Sequence, residues 1–142
     1  LKFFNYISLK SKHDFLIKLH PSEDKCKKSL KKIFPNLIFT SKKIEKVLSQ
    51  SFVTVSFSST VIEDSLNSLV PVILFDPWKR YQHCDAEKKY NINGKAIYYI
   101  NKRINLLKTI KTIKDSDHFN FDNYIYNSEA KSNFKNNIIS KI

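Results

Sequence analysis

The sequence predicts an α/β fold in three layers, with a mainly parallel sheet of about five strands and helices on both faces. Short apolar runs rich in Val, Ile, Leu and Phe alternate with helical patterns along the 142 residues, which is how parallel strands joined through helices read. Residues 53–77, VTVSFSSTVIEDSLNSLVPVILFDP, read as one strand, turn, helix and strand. Two strands joined by about a dozen residues of helix lie parallel, with a right-handed crossover. Finally, the 42% of hydrophobic residues fall in clear blocks, which argues against disorder.

Leu1 to Ser11 carries Leu1, Phe4, Ile7 and Leu9 near helical spacing and reads as the end of a helix. Asp14 to His20 (DFLIKLH) reads as a buried strand stopped by Pro21. Ser22 is expected to cap a basic helix reaching Phe34, with Glu23 and Asp24 suiting the dipole of its first turn. Pro35-Asn36 turns the chain into the strand Leu37 to Phe39, and Thr40 or Ser41 caps a helix over Lys42 to Gln50. Next come the strand around Phe52, Val53 and Val55, a helix, and the strand Val72 to Phe75, led in by Pro71 and ended by Asp76-Pro77. Trp78 to Asn93 is a polar, aromatic loop before the turn at Asn93-Gly94. A strand over Ala96 to Ile100 feeds a helix over Lys102 to Lys114, where Ile104, Leu107, Ile110 and Ile113 mark one buried stripe. Asp115 to Asn127 is loop, and Ser128 to Ile142 closes as an amphipathic helix on Phe134, Ile138, Ile139 and Ile142.

At this length the chain is one domain. It contains no methionine, so it is expected to be a piece of a longer protein. The net charge of +12 is uneven: 12 basic residues against 4 acids in residues 1–50, 5 against 5 in 51–100, and 8 against 4 in 101–142. Nearly all of it is Lys, with Arg only at Arg80 and Arg103. Base readout and bidentate phosphate clamps favour Arg, so a nucleic-acid partner is disfavoured against an anionic ligand or a membrane surface touched peripherally. Cys26 and Cys84 fit neither a disulfide framework nor a metal-binding CxxC pair, and a cytoplasmic setting is expected.

With Gly94 as its sole glycine, the chain has no GxGxxG or Walker A loop, and phosphate binding would fall to hydroxyls and helix ends. Ser58, Ser59 and Thr60 are placed for that at the carboxyl end of a parallel strand, where α/β sheets bind ligands. The competing structural reading is a capping box, Thr60 with Glu63. His20, at the end of its own strand and expected at the same edge, could donate to phosphate or simply hold a βα turn. Asp76, Trp78, Arg80, Tyr81 and His83 add a dense polar loop, in which Trp78 either faces a ligand or seals the core. His83-Cys84-Asp85 lacks the further ligands a metal needs, so none is expected.

Leu16-Ile17-Lys18-Leu19-His20-Pro21, then Val53-Thr54-Val55-Ser56-Phe57-Ser58-Ser59, then Pro71-Val72-Ile73-Leu74-Phe75, resembles the carboxyl-terminal half of GT-B glycosyltransferases. The pattern is nearest to the HP and SS motifs of bacterial sialyl- and polysialyltransferases, capsule transferases and CDP-glycerol glycerophosphotransferases. It covers residues 14–77; the rest agrees only in layout. The resemblance implies a Rossmann-like domain for the nucleotide of an activated sugar in surface polysaccharide synthesis. It implies His20, Ser58, Ser59 and Thr60 at the donor phosphate, Glu63 on the ribose, and Asp76 and Arg80 nearby. Its partners would be a CMP-, CDP- or UDP-linked sugar and an amino-terminal acceptor domain, with no cofactor, at the inner face of a membrane. UDP-N-acetylglucosamine 2-epimerases share the acid, but have glycines where this chain has Ser59-Thr60 and a glycine near Leu69-Val70. A non-catalytic module that binds polyanions is the reading of another class.

Overall fold

The computed structural model describes residues 1–57, 60–80, 84–122 and 124. The chain is mixed α/β and divides into two compact units, Leu1–Val47 and Leu48–Ile142. Among the described residues no helix is long and apolar enough to cross a membrane.

In the first unit, helix α1 (Lys2–Lys10) precedes strand β1 (Leu16–Lys18), a 3-10 turn (Pro21–Cys26), helix α2 (Lys27–Ile33) and strand β2 (Ile38–Thr40). β1 and β2 pair in parallel with Leu16 opposite Ile38 and Lys18 opposite Thr40. Leu19, Leu37 and Phe39 are buried, with Phe4, Phe15, Ile17, Leu30 and Phe34 packed against them. Asn36 is fastened to α1: its N–H donates to Asn5 Oδ1 at 3.2 Å, and Ser8 donates to its carbonyl at 2.8 Å. The basic helix expected from Ser22 onward is instead a 3-10 turn running into a seven-residue α-helix, and the cap is His20. Glu23 explains the shift, because its carboxylate reaches back to the His20 N–H at 3.2 Å. Ser41 donates to Asp24, tying that turn to the end of β2. Helix α3 (Ile44–Leu48) follows.

The second unit contains β3 (Thr54–Ser56), helix α4 (Val61–Asn67), β4 (Val72–Phe75), β5 (Ile97–Ile100) and helix α5 (Arg103–Lys114). The sheet order is β3-β4-β5 and both pairings are parallel, with Val55 opposite Ile73 and Ile73 opposite Tyr98. β4 is therefore central, and its Val72, Ile73 and Leu74 are buried, as a strand covered on both faces requires. The single five-stranded sheet is not formed. All five described strands run parallel to a partner, but two make one sheet and three another, each beside its own apolar cluster.

Ser65 locks α4 to the sheet. Its buried hydroxyl lies 2.6 Å from the Val61 carbonyl and 2.9 Å from Thr54 Oγ1 on β3. Ser65→Ala should cost about 1–2 kcal/mol in urea unfolding, since it strips a partner from Thr54 without freeing room for water. α4 ends in a Schellman turn, with Val70 N–H on the Ser65 carbonyl at 2.8 Å and Leu69 N–H on Leu66 at 3.0 Å. Leu69 stands there at φ 59°, a left-handed position that glycine takes without strain. Gly94 has φ 75°, and an added Cβ would sit 3.2 Å from the His118 carbonyl.

On α5 the expected stripe is rotated. Ile104 is 67% exposed, and the buried residues are Leu106, Thr109, Ile110 and Ile113. Thr109 can face inward because its hydroxyl donates to the Asn105 carbonyl at 2.9 Å. The expected final helix, Ser128 to Ile142, lies outside the described residues.

Candidate functional site

β3 delivers the chain to its carboxyl end at Ser56, and α4 begins at Val61. Of the hydroxyl cluster between them, Ser58 and Ser59 lie outside the described residues. Thr60 is exposed, already helical at φ −56° and ψ −19°, and makes no side-chain cap bond. The capping box is therefore not formed. Glu63 is exposed and has no side-chain hydrogen bond to another described residue, so its carboxylate is not engaged by its own helix. α4 has only seven residues, and a helix that short contributes little field; holding an anion here calls for a full charge.

Arg80 supplies one. After β4, the Asp76 carbonyl accepts the Lys79 N–H at 3.1 Å in a turn started by Pro77, and Lys79 takes φ 55°. That reversal sends Arg80 back across the sheet edge, where its guanidinium carbon lies 3.9 Å from the centre of the Phe57 ring and 5.1 Å from that of Trp78. Phe57 immediately precedes Ser58, so the structure brings Arg80 to the β3–α4 turn. Trp78 is 71% exposed and does not seal the core. Tyr81 and His83 lie outside the described residues.

Asp76 behaves differently. It is fully buried, and Tyr99 on β5 donates its hydroxyl to Asp76 Oδ2 at 3.0 Å. Burial, the hydrogen bond to Asp76 and the Asp76 charge, in that order, raise the Tyr99 pKa. Asp76 thus serves the frame of the site from beneath it. Tyr99 and Phe57 are the two residues that sequence reasoning passed over. Phe57 had a signal in its place just before the serines, whereas Tyr99 had none short of the strand register that sets it opposite Leu74.

In the first unit, His20 holds its own turn. Nδ1 accepts the Ser22 N–H at 3.3 Å and lies 2.7 Å from Ser22 Oγ. With Nδ1 accepting, the neutral ring carries its proton on Nε2, and that edge is a donor with no partner among the described residues. The contacts of His20 thus show the turn-holding role, and its Nε2 edge lies on an exposed residue. Cys26 and Cys84 are both free thiols; burial, then Asp85, raises the Cys84 pKa. Among the described residues no three His, Cys, Asp or Glu side chains form a metal-holding group.

Comparison of the chain with protein-family models, with curated proteins and with solved structures finds no match.

Proposed function

We propose that the chain is a Rossmann-like domain that binds the donor nucleotide of a GT-B-like glycosyltransferase, transferring an activated sugar in surface polysaccharide synthesis. The observation that carries this reading is Arg80 stacked on Phe57 at the end of a parallel strand. A guanidinium held over a ring is already positioned, so it loses little freedom when it takes a phosphate. Thr60, which opens α4, would donate its hydroxyl to the same phosphate, a role that the resemblance extends to Ser58 and Ser59. The chemistry asked of these groups is to stabilise charge as it develops on the leaving nucleotide phosphate. Glu63, not used as a cap, suits the two hydroxyls of a ribose.

The base that activates the acceptor hydroxyl would come from a second domain, so the isolated 142 residues should bind nucleotide without turnover. Calorimetric or chemical-shift titration with CMP, CDP and UDP tests the binding. Saturable response at Phe57, Thr60 and Glu63 supports it. Steeply salt-dependent binding to RNA, with no nucleotide response, would replace it with a polyanion-binding module. Glu63→Gln should weaken nucleotide binding about tenfold, because an amide accepts ribose hydroxyls less strongly than a carboxylate. It should leave helix stability unchanged, since no capping box is lost.

A further inference from the structure

A cavity of about 340 Å³ opens at the carboxyl end of β5, lined by Lys88, Tyr99, Ile100, Asn101 and Asn105. Three segments build it. Glu87 pairs with β5, its N–H on the Ile97 carbonyl at 2.9 Å and its carbonyl taking the Tyr99 N–H at 2.8 Å, so Lys88 runs beside the strand's end. Asn101 is the first residue past the strand. Asn105 lies in the first turn of α5, its N–H fixed on the Lys102 carbonyl at 3.0 Å.

The side chains around this space have unspent hydrogen-bonding capacity. Asn101 and Asn105 are half-buried, and neither side-chain amide has a partner among the described residues, nor has the Lys88 ammonium. These amides and the ammonium are open to solvent, so their donors and acceptors are available to a ligand in the cavity that their residues line. Lys88 is the charged residue among the described lining residues, and α5 opens on Lys102 and Arg103 with no acid in its first turn. The nearby acids already accept hydrogen bonds, Glu87 from the Lys89 N–H at 2.9 Å and Asp76 from the Tyr99 hydroxyl. Amides that both donate and accept suit hydroxyl groups, and an ammonium suits an oxyanion. The volume lies at the low end for ligand sites, which fits a monosaccharide.

We propose that this cavity binds a small hydroxylated carboxylate of the sugar-acid class, with Lys88 against the carboxylate and Asn101 and Asn105 on the hydroxyls. The site sits at the edge where parallel sheets take ligands, and its polar groups, Lys88, Asn101 and Asn105, take no part in the nucleotide-binding proposal, although Tyr99, which holds Asp76, also lines it. The test is a titration of the ¹⁵N-labelled chain with D-glucuronate, set beside D-glucose at the same ionic strength as the uncharged counterpart. Glucuronate should produce saturable shifts at Lys88, Asn101 and Asn105, with glucose about tenfold weaker or silent. Lys88→Gln, at an exposed position that folding does not use, should weaken glucuronate about tenfold and leave the CMP response unchanged. Equal response to the two sugars, shifts that map elsewhere, or undiminished binding by both Lys88→Gln and Asn105→Leu would overturn the proposal.

Discussion

Arg80→Ala should weaken CMP and CDP binding by about tenfold or more while moving the thermal midpoint by a few degrees at most. The two halves of this expectation have separate origins. The guanidinium is exposed and leans on Phe57 and Trp78, and a cation over a ring at such a site contributes about 0.5–1 kcal/mol to stability. Toward a nucleotide phosphate the same group offers a charge-assisted, bidentate contact, which is worth more. Arg80→Lys separates charge from shape: it keeps the positive charge but loses the planar stack and the fork, and should recover only part of the affinity. Phe57→Leu makes the converse test, leaving the charge and removing the platform, and should also fall between. If Arg80→Ala binds CMP, CDP and UDP as tightly as the parent chain, the anion site at the β3–α4 turn is lost and with it the main support for the transferase reading.

How much of this could be read from the residues differs from element to element. Val72–Phe75 is legible to its ends because Pro71 cannot sit within a central strand and Asp76-Pro77 cannot continue one. The parallel pairing of β3 with β4 follows from the length of the helical connection alone. The inward face of α5 was not legible, because Thr109 looks polar until its hydroxyl is seen returned to the Asn105 carbonyl. At the site, a capping box written into Thr60 and Glu63 gave way because Thr60 is itself helical, which no dipeptide pattern reveals. Arg80 was legible as a basic residue near a strand end. Its arrival over Phe57 depends on the left-handed turn at Lys79, which sequence does not announce at a residue with a side chain. For His20, the turn-holding reading is the one whose contacts are seen, on Ser22.

Tyr99→Phe should destabilise the chain by about 2–3 kcal/mol, the range for removing a hydrogen bond to a charged group. It leaves the buried Asp76 carboxylate without the donor now 3.0 Å from Oδ2. Asp76→Asn should cost less, about 1 kcal/mol, because the amide oxygen still accepts the Tyr99 hydroxyl and no charge is then buried. That order, with the partner's deletion costing more than neutralisation of the acid, is what a buried charge held by a phenol requires. The pH dependence adds a second signature. The Tyr99 pKa is raised in the folded chain, first by burial and then by Asp76, and burial leads in raising that of Tyr98 as well. A tyrosine so raised keeps its proton when the unfolded chain has lost one, so its stabilising contribution is complete below about pH 10 and declines as pH climbs through the folded value. Urea unfolding of the parent chain should therefore weaken with rising pH in that window, and the difference between it and Tyr99→Phe should shrink over the same range. A difference that stays constant or widens above about pH 10 would mean that the Tyr99 phenol is not held protonated by Asp76 and its buried setting.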